Sequence, residues 1–229
     1  MTTVLIVSEQ ALQRLGLRML LTAEAGLTVV GEAANGTDAV RASDELRPDI
    51  VLLDSRTPDG ADGVDTIRRL TRPHSLPGAV EAGGHPPRLL ILGAGGLDAY
   101  THAALRAGAG GFLPENALPG ELTAAVRAVA AGNAVIPPGL TRELIDAVRN
   151  RGPVRPSGRE HRLGALTERE RDVLTAVASG WSNVEIAQRL SIAPTTVKSH
   201  VSSIFTKIGA RARVQAVVFA YESGLVRPR

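Results

Sequence analysis

One group of residues in the front half of this chain stands where a binding or catalytic site would be expected. Its members lie at or just past the ends of short apolar runs, as Asp54 does after Ile50–Leu53. The group consists of Ser8, Glu9, Asp54, Gly93 and Glu115. In parallel sheets of alternating strands and helices, functional residues collect at the carboxyl ends of the strands, so we expect these residues to share one site.

A second group lies on one predicted helix of the back half, from about Pro194 to Ile208. Its polar members occupy the positions between the apolar residues Val197, Val201 and Ile204. They are Thr195, Thr196, Lys198, Ser199 and Ser202. Short hydroxyls and one lysine suit close approach to the phosphates and base edges of nucleic acid. A solvated polar face is the alternative interpretation.

The elements that position the first group alternate between apolar strands and helical stretches. The predicted strands are Val4–Val7, Thr28–Glu32, Ile50–Leu53, Leu89–Leu92 and Gly111–Leu113. The predicted helices are Ala11–Leu21, Gly36–Leu46, 62–70, Leu97–Ala107 and Pro119–Ala131. In the first helix, the apolar residues at helical spacing are Leu12, Leu15, Met19 and Leu20. This order predicts an α/β fold with a doubly wound, five-stranded parallel sheet.

The back half has the pattern of a small all-α domain with four helices. Thr167 and Glu170 have the spacing of a capping box at the start of its first helix. A tight turn between its second and third helices predicts a helix-turn-helix. We expect a receiver-like domain at 1–132, a linker at 133–162 with a helix at about 141–150, and the helix-turn-helix domain at 163–229. The proline- and glycine-rich segment 72–87 is predicted to be a long surface loop.

Charge and composition separate the two halves and exclude several classes of protein. Residues 1–150 hold 13 Arg, no Lys and 17 acidic residues, a net charge of −4; residues 151–229 have a net charge of +7. A basic back half predicts a polyanionic partner. The absence of cysteine excludes disulfides, thiolate metal sites and a cysteine nucleophile. No secretory signal or membrane span is visible, so we expect no membrane association and a cytoplasmic location.

Several segments carry a resemblance to a known family. In the back half, the segments that resemble a LuxR-type DNA-binding domain are Leu166–Glu170, Gly180–Ala187, Thr195–Val201, Lys207–Ala210 and Gln215–Val217. In the front half, Asp54–Pro58 with Asp62 and Gly63, and Leu105–Leu113, resemble a response-regulator receiver. Together they resemble the NarL/FixJ family of response regulators. The resemblance implies a two-component transcription regulator, and it makes RNA polymerase an expected partner.

The resemblance also shows where this receiver departs from its family. Asp54 matches the phosphoacceptor, but the pair of acidic residues that holds Mg²⁺ is here Ser8 and Glu9. Gly93 stands where a Thr or Ser hydroxyl binds the phosphoryl group, and Glu115 stands where a lysine pairs with it. These departures predict an atypical, degenerate receiver with no cofactor beyond weakly bound Mg²⁺ at Glu9 and Asp54. In this interpretation Asp54 has a local structural role, and a true phosphoacceptor is the alternative.

For the back half, the resemblance assigns roles to single residues. Lys198, Ser199 and Ser202 would face the major groove, and Thr195, Thr196 and Lys207 would contact the DNA backbone. The last helix would join two copies of the domain. Its residues Ala212, Gln215, Ala216 and Phe219 form a small-residue face suited to a two-fold contact. The alternative is that Phe219 packs into its own domain.

We therefore expect a DNA-binding transcription regulator that acts as a homodimer on double-stranded DNA, independently of phosphorylation. A conventional response regulator, phosphorylated on Asp54 by a histidine kinase, is the alternative. A nucleotide-using enzyme is disfavoured, because the glycine pattern from Gly93 fails at Asp98 and no nucleophile constellation is present. The same glycine-rich segment leaves room for a small-molecule effector. The operator, the regulated genes and the direction of regulation do not follow from the sequence.

Overall fold

The computed structural model describes residues 1–55, 63–71, 86–94, 99–136 and 159–226. Most of the predicted loop 72–87, the predicted helix at 141–150 and residues 151–158 lie outside these ranges, as do Gly95, Gly96 and Asp98. The chain divides into two compact units, Met1–Leu140 and Thr141–Arg229. This boundary lies inside the segment 133–162 that the sequence predicts as a linker.

The first unit contains a five-stranded, wholly parallel sheet in the order β2-β1-β3-β4-β5. Its strands are β1 Thr2–Val7, β2 Leu27–Ala33, β3 Ile50–Asp54, β4 Arg88–Gly93 and β5 Gly111–Pro114. The apolar runs at the centres of β1, β3 and β4 are buried on both faces, as expected for strands covered by helices on each side. The predicted fold class is confirmed.

Five helices of the first unit are described. They are α1 Ala11–Thr22, α2 Gly36–Leu46, α3 Gly63–Leu70, α4 Ala99–Ala107 and α5 Pro119–Ala130. One core lies between the sheet and the helices α1 and α5, and α1 contributes Leu17, Leu20 and Leu21 to it. The other apolar residues of α1, namely Leu12, Leu15 and Met19, are exposed to solvent. The apolar spacing in α1 therefore marks two different faces of the helix.

The second unit is all-helical in its described part. Its helices are α6 Arg159–Gly164, α7 Glu168–Ala178, α8 Asn183–Leu190, α9 Pro194–Ile208 and α10 Arg213–Glu222. Capping boxes begin α7 (Thr167 with Glu170) and α8 (Ser182 with Glu185), and left-handed Gly209 ends α9. Helix α6 is an addition to the four predicted helices, and it crosses the predicted domain border at 162/163. Among the described residues, no helix has the length and apolar character needed to span a membrane.

Candidate functional site

The carboxyl ends of four neighbouring strands bring the predicted front-half residues to one edge of the sheet. Strand pairing places Val7 beside Leu53, Asp54 beside Leu92, and Gly93 beside Pro114. Ser8 therefore follows β1 next to Asp54 at the end of β3. Gly93 ends β4, and the backbone N–H of Glu115 donates to the Gly93 carbonyl at 2.8 Å. The structure thus places Ser8, Asp54, Gly93 and Glu115 at one edge, as the strand pattern predicts.

Asp54 is buried, with 2% of its surface exposed, and a serine contacts its carboxylate. The Ser8 hydroxyl donates to Asp54 Oδ2 at 2.9 Å and also lies 3.0 Å from Gln13 Oε1 on α1. Ser8 is itself fully buried, so this hydrogen bond is shielded from water. The Ser8 hydroxyl donates a hydrogen bond to the Asp54 carboxylate. An ionised acidic side chain at position 8 would have no proton to donate, and it would need a cation between itself and Asp54.

Arg14 is a residue of this edge that the sequence analysis missed. Its guanidinium donates to the backbone carbonyls of Ser8 at 2.6 Å and Glu9 at 2.9 Å. It also lies 3.4 Å from the carboxylate of Glu32 on β2. The signal was the position of an arginine one turn into α1, within reach of the preceding strand end.

The environment of Gly93 is closed by an aromatic ring. A Cβ atom at position 93 would lie 2.6 Å from Cζ of Phe112 and 2.9 Å from Oγ of Ser55. Phe112 is buried in the sheet, so its ring occupies the space that a side chain at position 93 would need. A side chain at position 93 would therefore have to displace the end of the Phe112 ring.

The residues of this edge fit a Mg²⁺ ion poorly. The two acidic side chains that could bind the ion are Glu9 and Asp54. Glu9 is exposed, and the Asp54 carboxylate already accepts a hydrogen bond from the Ser8 hydroxyl. Within the described ranges, no three acidic, histidine or cysteine side chains converge as metal ligands. A hard cation prefers several oxygen ligands, which this set does not supply.

In the second unit, α8 and α9 form the predicted helix-turn-helix. The turn passes through Ser191, whose left-handed backbone (φ 53°) ends α8, and Pro194 then starts α9. Val197, Val201, Ile204 and Ile208 hold α9 against the domain core. The buried stripe therefore fixes which face of α9 points outward.

The outward face of α9 carries five of the six predicted DNA-contacting residues. Thr195, Thr196, Lys198, Ser199 and Ser202 are all exposed. The Ser199 hydroxyl donates to the Thr195 carbonyl at 3.1 Å, so its proton is already engaged within the helix. This face offers one cation and several small polar groups to a ligand.

Lys207, the sixth predicted residue, is placed differently. Its ammonium donates to Glu170 Oε2 on α7 at 2.7 Å, and Ser203 donates to the other oxygen of the same carboxylate at 2.6 Å. Burial of Glu170 would raise its pKa, but hydrogen bonds from Lys207, Ser203 and Thr167 outweigh this and lower the pKa to about 2. The ion pair gives Lys207 a structural role that the sequence analysis did not anticipate.

A buried arginine fixes α10 against the start of α8. Arg213 donates to Asn183 Oδ1 at 2.9 Å and to the carbonyl of Trp181. Burial lowers the pKa of its guanidinium to about 10, which still leaves it protonated. The ring of Trp181 is covered by the guanidinium of Arg189, 3.7 Å from its centroid, so Trp181 serves packing within the domain.

The predicted dimerisation face on α10 requires correction. Ala216 and Phe219 are buried in the core of their own domain, and Ala212 is buried beside them. Their side chains pack inside the domain and leave little surface for a second copy. Gln215 is half-buried and accepts from the backbone N–H of Arg211 at 2.5 Å. Small residues at helical spacing on α10 reflect close packing inside the domain.

Comparison with protein families covers both units. The family described as "Response regulator receiver domain" matches residues 4–127, and that described as "Bacterial regulatory proteins, luxR family" matches residues 164–220. These ranges contain the two groups of candidate site residues.

Two relatives in sequence match over nearly the whole chain, and a solved structure matches over a shorter part of it. The nitrate/nitrite response regulator protein NarL of Escherichia coli (strain K12) is 34% identical, covering 96% of this chain and 95% of the relative. The uncharacterized transcriptional regulatory protein YxjL of Bacillus subtilis (strain 168) is 32% identical, covering 98% and 97%. A crystal structure of a LuxR-family two-component response regulator from Aurantimonas sp. SI85-9A1 is 29% identical, with a TM-score of 0.53, over 64% of this chain and 96% of that one. The chain belongs to the NarL/FixJ family of response regulators, and is a transcription regulator with a receiver and a LuxR-type DNA-binding domain rather than an enzyme.

Proposed function

We propose that this response regulator controls transcription without stable phosphorylation of Asp54. The observation that carries the proposal is the close approach of the Phe112 ring to position 93. Gly93 has no side chain that could donate to a phosphoryl group, and a Cβ atom there would lie 2.6 Å from Cζ of Phe112. A conventional role, with phosphorylation on Asp54 by a histidine kinase, is the competing function.

Charge supports the same proposal. A phosphoryl group adds a charge of about −1.5 to −2 at neutral pH and needs cations or donors around it. Residues 1–150 contain no lysine, and the guanidinium of Arg14 at this edge is engaged by the carbonyls of Ser8 and Glu9. Glu115 at the end of β5 adds a negative charge at the same edge. Weak Mg²⁺ binding by Glu9 and Asp54 stays a prediction.

The energy available for a phosphate-driven switch is correspondingly small. A missing charge-assisted hydrogen bond removes about 1.5–3 kcal/mol and a missing neutral one about 0.5–1.5 kcal/mol. Reversing a two-state equilibrium from 1:99 to 99:1 takes about 5.5 kcal/mol. The substitutions at positions 93 and 115 thus remove a large part of the energy that would drive the switch. Control then rests on protein abundance, a partner protein or a small-molecule effector.

The test is incubation of the full-length protein with a small phosphodonor and Mg²⁺, followed by intact mass and DNA affinity. We expect no stable adduct, and an Asp54→Ala variant that binds the operator as the unchanged protein does. A stoichiometric adduct that Asp54→Ala abolishes, together with a tenfold gain in DNA affinity (about 1.4 kcal/mol), would establish the conventional function instead.

For the DNA-binding domain, we propose that the exposed face of α9 enters the major groove of double-stranded DNA. Lys198, Ser199 and Ser202 are proposed to read base edges, and Thr195 and Thr196 to contact the backbone, because all five are exposed on one side of α9.

A homodimer would bind inverted half-sites one helical turn apart, about 10 bp between centres. The half-buried residues of α10, such as Val218, remain available for that dimer, since the predicted small-residue face is internal. Contact with RNA polymerase also stays a prediction.

A further inference from the structure

The end of α8 is held by an arginine from another helix. Arg169, in the first turn of α7, donates through its guanidinium to the backbone carbonyl of Leu190 at 2.7 Å. Leu190 is the last residue of α8, and the last carbonyls of an α-helix have no partner within the helix. Arg169 therefore joins α7 to the point where α8 ends and the turn toward α9 begins.

This turn depends on contacts with the elements around it. It spans residues 191–193. Ser191 has a φ of 53°, in the left-handed region that favours glycine, and such a backbone persists only where the surrounding structure holds it. The backbone N–H of Ile192 donates to the Ala187 carbonyl at 3.0 Å and holds the turn from the α8 side. The guanidinium of Arg169 holds it from the α7 side.

The charge of Arg169 is engaged inside the domain. Its side chain is 38% exposed, and its guanidinium lies 3.8 Å from the carboxylate of Asp172, three residues further along α7. The guanidinium thus has a carboxylate and the Leu190 carbonyl as neighbours. A cation with these partners suits fixing a neighbouring backbone better than neutralising a phosphate of DNA.

The next residue of α7 holds the other half of α9. Glu170 accepts hydrogen bonds from Ser203 and Lys207, which both lie on α9. Two consecutive residues of α7 therefore fix the chain just before α9 and again from position 203 onward. The residues proposed to contact DNA, all within 195–202, lie between these two points of attachment.

We propose that Arg169 is a positioning residue for sequence reading, because its contact with Leu190 sets where the first turn of α9 enters the major groove. The inference rests on the proposed entry of α9 into that groove. In helix-turn-helix proteins, the N-terminal residues of the recognition helix contact the base edges. Only residues 191–193 separate Leu190 from the start of α9, so a displacement at Leu190 reaches the base-reading end directly.

The experiment measures the affinity of the full-length protein for two duplexes at several salt concentrations. One duplex is selected from random sequence by the unchanged protein, and the other is an unselected duplex of the same length. We expect Arg169→Ala to weaken binding to the selected duplex about tenfold, within the usual cost of one disturbed base contact. Binding to the unselected duplex should change by less than about twofold, because phosphate contacts carry no sequence information.

Arg171→Ala is the matched control. Arg171 is an exposed arginine of the same helix, and it also donates to a backbone carbonyl, that of Leu163 on α6 at 3.2 Å. This variant should leave the ratio of the two affinities unchanged. Arg169→Lys keeps a cationic donor at the position but lacks the forked guanidinium, so it should recover part of the ratio that Arg169→Ala loses.

A purely structural role would appear as a lower free energy of unfolding, measured by Trp181 fluorescence, with an unchanged ratio of affinities, and this result would overturn the proposal. A direct phosphate contact would weaken binding equally on both duplexes. It would also reduce the slope of log affinity against log salt concentration by about 0.9. That result would overturn the proposal as well.

Lys198→Ala separates this inference from the proposed function. If it lowers the ratio of affinities and Arg169→Ala does not, α9 reads the groove and the positioning role of Arg169 is refuted. If neither variant lowers the ratio, groove reading by α9 is refuted, and the positioning role is refuted with it.

Discussion

The hydroxyl oxygen of Ser8 lies 2.9 Å from Oδ2 of Asp54, and both residues are buried. The same hydroxyl lies 3.0 Å from Gln13 Oε1, yet it has only one proton to donate. The Ser8 hydroxyl can therefore donate to only one of these two oxygens at a time.

Replacing Ser8 by alanine removes a buried donor to a carboxylate. We expect the free energy of unfolding of the receiver to fall by about 1.5–3 kcal/mol, the usual contribution of a hydrogen bond to a charged group. Urea unfolding followed by circular dichroism measures this free energy. The fluorescence of the single tryptophan, Trp181, reports the unfolding of the DNA-binding domain separately. The neighbouring exposed residue supplies the control, since Glu9→Ala should change stability by less than about 0.5 kcal/mol. Equal effects of the two variants would argue against the assigned hydrogen bond.

Enlarging Gly93 should destabilise the receiver through contact with Phe112. We expect Gly93→Ala to lower the free energy of unfolding by about 1–3 kcal/mol, because it overpacks a filled core. In a Phe112→Leu background, the same change should have a smaller effect, and the double-mutant cycle measures this coupling. Strict additivity of the two substitutions would contradict the contact.

The ionised state of Glu170 makes the DNA-binding domain sensitive to acid. Its folded pKa of about 2 lies below the ordinary 4.5, so its stabilisation is complete above pH 4.5 and is lost as pH falls toward 2. Because Lys207 is partly exposed and solvent screens the pair, we expect a loss of about 1–3 kcal/mol over this window. Urea unfolding followed by Trp181 fluorescence at several pH values measures it.

Glu170→Gln should flatten that pH dependence between pH 4.5 and 2. The matched control is Glu185→Gln, which alters the same kind of capping box at an exposed position. Hydrogen bonds from the backbone and side chain of Ser182 also lower the pKa of Glu185. Glu185→Gln should change the pH dependence of the unfolding free energy less than Glu170→Gln does. A larger effect of Glu185→Gln would contradict the structural role assigned to Lys207.

The chain has two lysines, and they should behave differently on DNA. Lys198→Ala should leave stability unchanged and weaken binding to a selected operator by about 1–3 kcal/mol if it reads a base. Titrations on operator and random duplexes, at several salt concentrations, separate base reading from backbone contact. An equal loss on both duplexes would assign Lys198 to the backbone. Lys207→Ala should instead lower the unfolding free energy reported by Trp181.

Two substitutions on α10 distinguish core from surface. Ala216→Arg should abolish native Trp181 fluorescence, because position 216 is fully buried. Val218→Arg should preserve the fold and reduce cooperative binding to a double half-site, since Val218 is half-buried. A folded Ala216→Arg protein would refute the placement of α10, and unchanged cooperativity in Val218→Arg would exclude this residue from the dimer contact.

The sequence predicts much of the fold because its strongest signals are local. Apolar runs mark β1, β3 and β4, and the Thr167–Glu170 spacing marks the start of α7. The partner of Glu170 at position 207 lies 37 residues away, and no local pattern identifies it. Periodicity also cannot distinguish a buried helix face from an exposed one, because helical spacing is the same for buried Ala216 and for exposed Leu12 and Met19.

The closeness of Phe112 to Gly93 makes the sizes of these two residues interdependent. A Cβ atom at position 93 would lie 2.6 Å from Cζ of Phe112, so any larger residue there must displace the end of the ring. Phe112 is itself buried, so a smaller residue at position 112 alone would leave a cavity in the core. The two positions are therefore expected to tolerate substitution together more readily than either tolerates it alone.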